Sequence, residues 1–237
     1  TDLGFYNDPA FRILDIRKAV KSGNNEIKLS CDFLQSEDVY QNMKNSLIFE
    51  SEKNKLTYDM EIEAVYIIGD FGVKTDKPFE KSERRALITD GGFYITSAPK
   101  TVYDGNIAEQ GYPFFAGSMT FKKQIDLKAE EISNRSVCFS ELCSTVTEVK
   151  VNGKNAGKVI WQPYFVDLNG LLKEGINEIE ITVTGNLRNL LGPFHLIEGE
   201  TYAVSPPQFF HYSPIWAYGE NKNWVDTYCF VEFGLFF

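Results

Sequence analysis

A sixteen-residue pattern occurs twice in this chain, and it limits the possible folds more than any other feature. Residues 14–29 read L-D-I-R-K-A-V-K-S-G-N-N-E-I-K-L, and residues 166–181 read V-D-L-N-G-L-L-K-E-G-I-N-E-I-E-I. Aligned without a gap, the copies share Asp15/Asp167, Lys21/Lys173, Gly23/Gly175, Asn25/Asn177, Glu26/Glu178 and Ile27/Ile179. Leu14/Val166, Ile16/Leu168, Val20/Leu172 and Leu29/Ile181 are aliphatic in both. A repeated segment signals a repeated structural unit. The spacing predicts a strand, a Lys-x-Gly-x-Asn turn and a second strand. Glycine supplies a positive φ, and asparagine bonds to its own backbone. The strand after the turn alternates, with Ile179 and Ile181 on one face and Glu178 and Glu180 on the other.

The later copy closes a long β-rich stretch, whereas thirteen residues precede the earlier one. The first unit is therefore expected to be incomplete, with the chain beginning inside a larger protein. A chain of 237 residues holds one large all-β domain or two smaller ones. Aromatic residues make up 14%, mostly Phe and Tyr, which favours pleated sheets over helical bundles. The net charge of −9 is spread along the chain and argues against nucleic acid, whose phosphates demand clustered Lys and Arg. No apolar run is long enough for a membrane span, and residues 1–20 lack the pattern of a secretory leader. Cys31, Cys138, Cys143 and Cys229 suggest neither a disulfide nor a shared metal and are expected as buried free thiols.

Along the chain, Ser36 followed by Glu37 and Asp38 predicts the start of one helix. Residues 27–34 and 59–68 read as strands, as do 86–89, 93–97, 118–125, 146–151, 158–161 and 228–235. Asn152-Gly153 between alternating runs is the strongest hairpin signal in the chain. Short strands, frequent turns and little helix argue for an all-β sandwich. Two parts are expected: residues 1–58, a partial β unit and connecting segment, and residues 59–237, a jelly-roll β-sandwich.

The run V-K-V-N-G-K (149–154), then W-Q-P-Y-F-V-D-L (161–168), then L-K-E-G-I-N-E-I-E-I-T-V (172–183), resembles the sugar-binding domain of family-two-type glycoside hydrolases. That domain is a galactose-binding-like jelly roll. G-Y-P-F-F-A-G-S-M-T-F (111–121), N-L-R-N-L-L-G-P-F-H (186–195) and E-I-E-A-V-Y-I-I-G-D-F-G-V (61–73) resemble segments of bacterial rhamnosidase-like glycosidases. The resemblance implies a carbohydrate-binding-like accessory domain beside a catalytic barrel, which would be the partner, in an exported, extracellular or periplasmic enzyme. In such enzymes the catalytic carboxylates lie on the barrel, and no alternating strand-helix pattern of that length occurs here. A structural calcium ion is common in galactose-binding-like sandwiches; no other cofactor is implied.

Flat aromatic rings that pack against pyranose C–H faces are the natural sugar contacts. Trp216, Tyr218 and Trp224, with Asp226 as a hydroxyl partner, form the first candidate group, and Trp161 with Tyr164 the second. The competing reading is that these rings plug the end of the sandwich; for Trp161 the plug is the expected role. Glycoside hydrolysis needs two carboxylates across the scissile bond. Glu61, Glu63, Asp70, Asp90, Asp104 and Glu109 offer no spacing that selects a pair, so no catalytic residue is assigned. His195 and His211 are expected as hydrogen-bonded loop residues, and Asn186, Arg188 and Asn189 as a polar patch or as partners for loop carbonyls. The sequence therefore points to a non-catalytic accessory module. A packing module without a ligand, and a small self-sufficient glycosidase, are the alternatives.

Overall fold

The computed structural model describes residues 1–6, 8–60, 62, 64–82, 86–195, 199–200 and 225–237. They fall into two units, Thr1–Ile67 and Ile68–Phe237.

In the first unit, β1 (Asp2–Tyr6) and β2 (Asp8–Leu14) form an antiparallel ribbon, with Arg12 paired to Asp2 across it. The only α-helix described in this unit, α1 (Glu37–Ser46), starts at Ser36 as the acidic first turn demands. Ser36 does not cap it with its hydroxyl. Instead its backbone N–H donates to Asp59 Oδ2 at 2.7 Å, and that bond lowers the Asp59 carboxyl below its usual range. The strand expected over 27–34 does not form, nor does one over the described residues of 59–68. Ile27, Leu29, Phe33, Leu34, Ile62, Val65 and Ile68 all stand exposed. Alternation fixes which face a strand would bury, but a strand exists only where a neighbour takes up its backbone N–H and C=O groups.

The second unit is an all-β sandwich of antiparallel sheets. Its strands run β3 (Phe71–Thr75), β4 (Glu80–Lys81), β5 (Ala86–Thr89), β6 (Phe93–Ser97), β7 (Gly105–Asn106), β8 (Ser118–Leu127), β9 (Ser136–Cys138), β10 (Glu141–Cys143), β11 (Val146–Val151), β12 (Lys154–Val159), β13 (Phe165–Asp167) and β14 (Gly175–Thr184). The short helix α2 (Arg188–Leu191) precedes β15 (Tyr228–Val231) and β16 (Gly234–Phe236). The largest sheet has the order β12-β11-β14-β8, with the second repeat's strand, β14, paired on both edges. Asn152 and Gly153 turn β11 into β12 with φ of 50° and 77°, as a type I′ hairpin needs.

Val149, Val151, Ile181 and Val183 from this sheet pack with Ile107, Phe139, Val166, Leu168, Phe233 and Leu235 into one core. Fully burying each such side chain contributes about 1.5–3 kcal/mol. A second, aromatic core gathers Phe79, Phe93, Phe114, Phe194 and Tyr228 around Phe230, mostly edge-to-face. The single strand expected over 228–235 is broken at Glu232 and Phe233, so β15 joins β5 and β4 while β16 joins β10 and β7. Gly234 permits the second pairing, because a Cβ there would lie 2.0 Å from the Gly105 carbonyl oxygen.

Candidate functional site

The break between β15 and β16 builds the candidate site. Val231, Glu232 and Phe233 form one side of a cleft of about 240 Å³, and Cys143, Ser144 and Thr145, at the end of β10, form another. Gly185 and Asn186, leaving β14, and Asn189 from α2 close it, with Phe115 beneath. Phe115 and Phe233 stack at 5.8 Å with their planes 12° apart, and a Cβ at position 185 would touch the Phe233 ring at 3.1 Å. Two apolar rings thus share the lining of the cleft with polar side chains.

The rim is held rigidly. Asn189 Nδ2 donates to Val231 O at 2.9 Å, and Val231 N–H donates to Asn189 Oδ1 at 2.8 Å, which pins the irregular stretch after β15. Asn186 Oδ1 accepts Arg188 N–H at 2.9 Å. Arg188 in turn donates from Nε to Glu200 Oε2 at 2.8 Å and from Nη1 to Cys229 O at 3.4 Å. Of the two roles open to Asn186, Arg188 and Asn189, the satisfaction of loop backbone is the one these bonds perform. The side chain of Glu232 is only 8% exposed, and Lys81 Nζ approaches its Oε1 to 2.7 Å. The Lys81 ammonium is held above its usual value, chiefly by that contact with Glu232.

Glu141, Cys143 and Glu232 bring one possible metal-ligand atom each to within 4.8 Å of one another. Two carboxylates and a thiol do not form the six- to eight-oxygen cage that calcium takes, and the Lys81 ammonium already lies beside Glu232. The other carboxylates considered are dispersed: Asp90 pairs with Lys77 at 2.7 Å, and Glu109 accepts from Asn106 at 3.2 Å. Glu61 and Glu63 lie outside the described residues.

Trp216, Tyr218, Trp224 and His211 also lie outside the described residues, and Asp226 is exposed. His195 Nδ1 lies 3.1 Å from Val225 O and 3.0 Å from Thr227 O, the loop role expected of it. Trp161 does not plug the sandwich; it is 74% exposed. After β12 ends at Val159 the chain passes outside the sheet, and Tyr164, not Trp161, turns inward against the core. The thiols also differ from expectation: Cys31 and Cys138 are exposed, and Cys138 and Cys143 occupy separate strands. Only Cys229 is fully buried, and burial pushes its thiol above the usual range. No single motif announced the cleft, because its residues come from five separate stretches of sequence.

No family model and no curated protein matches the chain. Among solved structures, its neighbours are glycoside hydrolases. The rhamnosidase from Novosphingobium sp. PP1Y is 18% identical, with a TM-score of 0.31, over 55% of this chain and 12% of that one. The Bifidobacterium dentium β-glucuronidase, complexed with coumarin-3-O-glucuronide, is 13% identical, with a TM-score of 0.33, over 58% and 23%. The β-D-mannosidase from Dictyoglomus thermophilum is 17% identical, with a TM-score of 0.25, over 52% and 16%. The chain thus spans under a quarter of the length of these neighbours, and likeness at this level assigns no residue here a role.

Proposed function

We propose that this chain is a non-catalytic accessory module of a glycoside hydrolase that contacts carbohydrate weakly through the cleft between β10, α2 and the β15–β16 break. The observation that carries the reading is a cleft whose lining joins the Phe115–Phe233 pair to hydroxyls and carboxamides. That combination suits a small polyol ring, whose C–H face is apolar and whose edge is all hydroxyl. At about 240 Å³ the cleft is smaller than a drug-sized pocket and holds one ring rather than a chain of them.

The test is a titration with rhamnose, glucuronate, mannose and galactose, followed by tryptophan emission and by saturation-transfer NMR. Saturable binding in the millimolar range, weakened at least fivefold by Asn186→Ala, is expected. A flat response to the whole panel refutes the binding half of the proposal and leaves a packing module. The exposed indole of Trp161 supports that second reading, since a docked catalytic domain would cover it.

A further inference from the structure

The two repeat copies build the same asparagine turn. In the second, Lys173 N–H donates to Asn177 Oδ1 at 2.9 Å, and Asn177 Nδ2 donates to Lys173 O at 2.7 Å and Gly175 O at 2.9 Å. In the first, Lys21 N–H donates to Asn25 Oδ1 at 2.9 Å, and Asn25 Nδ2 donates to Lys21 O at 2.8 Å and Gly23 O at 2.9 Å. Upstream of the turn the copies part: where the first has Arg17-Lys18, the second has Asn169-Gly170. The chain's other Asn-Gly pair is Asn152-Gly153, at the tip of the β11–β12 hairpin.

Asparagine is chemically labile, and most so before glycine, where no Cβ obstructs attack of the next backbone nitrogen on the carboxamide carbon. That attack needs a carboxamide free to turn, an unengaged glycine N–H and access for water. The two pairs differ in all that the side chain contributes. Asn152 is part-buried, and every polar atom of its carboxamide is engaged. Its Nδ2 donates to Leu171 O at 3.1 Å and to Asn177 Oδ1 at 2.9 Å, and its Oδ1 accepts Glu178 N–H at 3.1 Å. Asn169 is exposed, and its carboxamide makes one bond, in which Oδ1 accepts Asn134 N–H at 2.7 Å. Among the described residues neither Asn169 Nδ2 nor Gly170 N–H has an acceptor. Gly170, with φ of 77°, sits in a turn closed by Leu171 N–H on Leu168 O at 3.1 Å, and a Cβ there would meet open space.

We propose that Asn169 is a site of spontaneous modification in the folded protein, converting to aspartate and isoaspartate through a succinimide, while the turn it docks on protects Asn152. Gly170 N forms a bond to Asn169 Cγ as the Cγ–Nδ2 bond breaks, and the amide proton leaves with Nδ2 as ammonia. Water then opens the ring. Addition at Cγ restores the original backbone as aspartate. Addition at the main-chain carbonyl gives isoaspartate, whose backbone runs through Cγ and is one carbon longer. The balance is one water consumed and one ammonia released, with no change of oxidation state. Either product adds a negative charge to a chain whose net charge is already −9. The longer backbone of the isoaspartate form lies between Leu168 and Leu172, both buried in the main core, so the bond from Leu171 N–H to Leu168 O is the first lost.

The experiment incubates the full chain in mildly alkaline buffer and maps its tryptic peptides by mass spectrometry. Cleavage after Lys150, Lys154, Lys158 and Lys173 puts the two sites on separate peptides, Val151–Lys154 and Val159–Lys173, and Asn169 is the only asparagine in the second. Val159–Lys173 is expected to yield two chromatographic forms, each with the mass of the acid and each taking up heavy oxygen from labelled water. In the folded protein Asn169 is expected to convert at least about tenfold faster than Asn152, whose three hydrogen bonds must open first. In guanidinium the two rates are expected to converge. Asn169→Gln keeps a carbonyl for Asn134 but is too long to close the five-membered ring, so its Val159–Lys173 peptide is expected to stay unchanged. Conversion of Asn152 as fast as Asn169 in the folded protein overturns the proposal. So does an Asn169 that survives in the folded protein while the unfolded chain converts. A gain in acid mass that persists in Asn169→Gln also overturns it, by moving the change to Gln162.

Discussion

Asn25 and Asn177 make the same bonds in different surroundings, so replacing each by alanine separates the energetics of the turn from those of its burial. Asn177 is 0% exposed. Its removal leaves the Lys173 N–H, the Lys173 and Gly175 carbonyls and the Asn152 amide short of a partner, in a part-buried turn that water reaches only at its outer edge. An unsatisfied buried group costs about 1–3 kcal/mol, and part of that is recovered by relaxation, so a total loss of about 3–4 kcal/mol is expected. For a unit of this size that lowers the melting temperature by roughly 10 °C. Asn25 and its partners are exposed, and water replaces the lost bonds, so Asn25→Ala is expected to cost under about 1 kcal/mol. Guanidinium unfolding followed by tryptophan emission reads Asn177→Ala directly, since all three tryptophans follow residue 68. Amide exchange across residues 15–29 reads Asn25→Ala. Losses within about 0.5 kcal/mol of each other would refute the argument that burial makes this turn energetically important.

Two further outcomes follow from charge and thiol chemistry. Lys81→Met strands the buried Glu232 carboxylate, so it is expected to destabilise the protein at pH 7 more than the double variant Lys81→Met/Glu232→Gln does, as chemical denaturation would measure. The folded-state value of Lys81 is raised above 10.5, so its contribution is present below that pH and fades as the pH climbs past it; neither variant should show this alkaline loss. With a disulfide exchange reagent at pH 8, Cys31 and Cys138 are expected to react at once and Cys229 only on unfolding, because Cys229 is buried with its thiol pushed up. Rapid modification of Cys229 in the native protein would contradict the aromatic core drawn around its strand.

The strands at 86–89, 93–97 and 118–125 and the Asn152-Gly153 hairpin were legible because each carries its own signal: alternation, bounding turns and a positive-φ pair. Residues 27–34 open with nearly the same signal as β14 yet form no strand, and although Lys28 stands where β14 has Glu180, the alternation of Ile27 and Leu29 is that of Ile179 and Ile181. The cleft was invisible for a related reason. Glu232 lies 89 positions from Cys143 in the sequence, and only the break between β15 and β16 brings them together. Trp161 was misread because a tryptophan before a strand plugs a sandwich only if the chain turns inward there, and here the inward residue is Tyr164.

The two copies thus divide the information in one sixteen-residue pattern. The Lys-x-Gly-x-Asn turn is local and forms wherever the sequence occurs, whereas the strand is a property of its neighbours. Asn152→Ala tests this division inside the second copy by removing the hairpin's side-chain contacts, the one to Asn177 Oδ1 included, while every bond within the turn keeps both its partners. Leu171 O and Glu178 N–H lose their partner, at a cost of about 2 kcal/mol. The Glu178 amide should then exchange its proton faster, while the Lys173 amide, held by Asn177 within the turn, stays as protected as before. If Lys173 loses protection together with Glu178, the turn depends on the hairpin after all. The persistence of the same bonds around Asn25, with no hairpin described against them, would then need another cause.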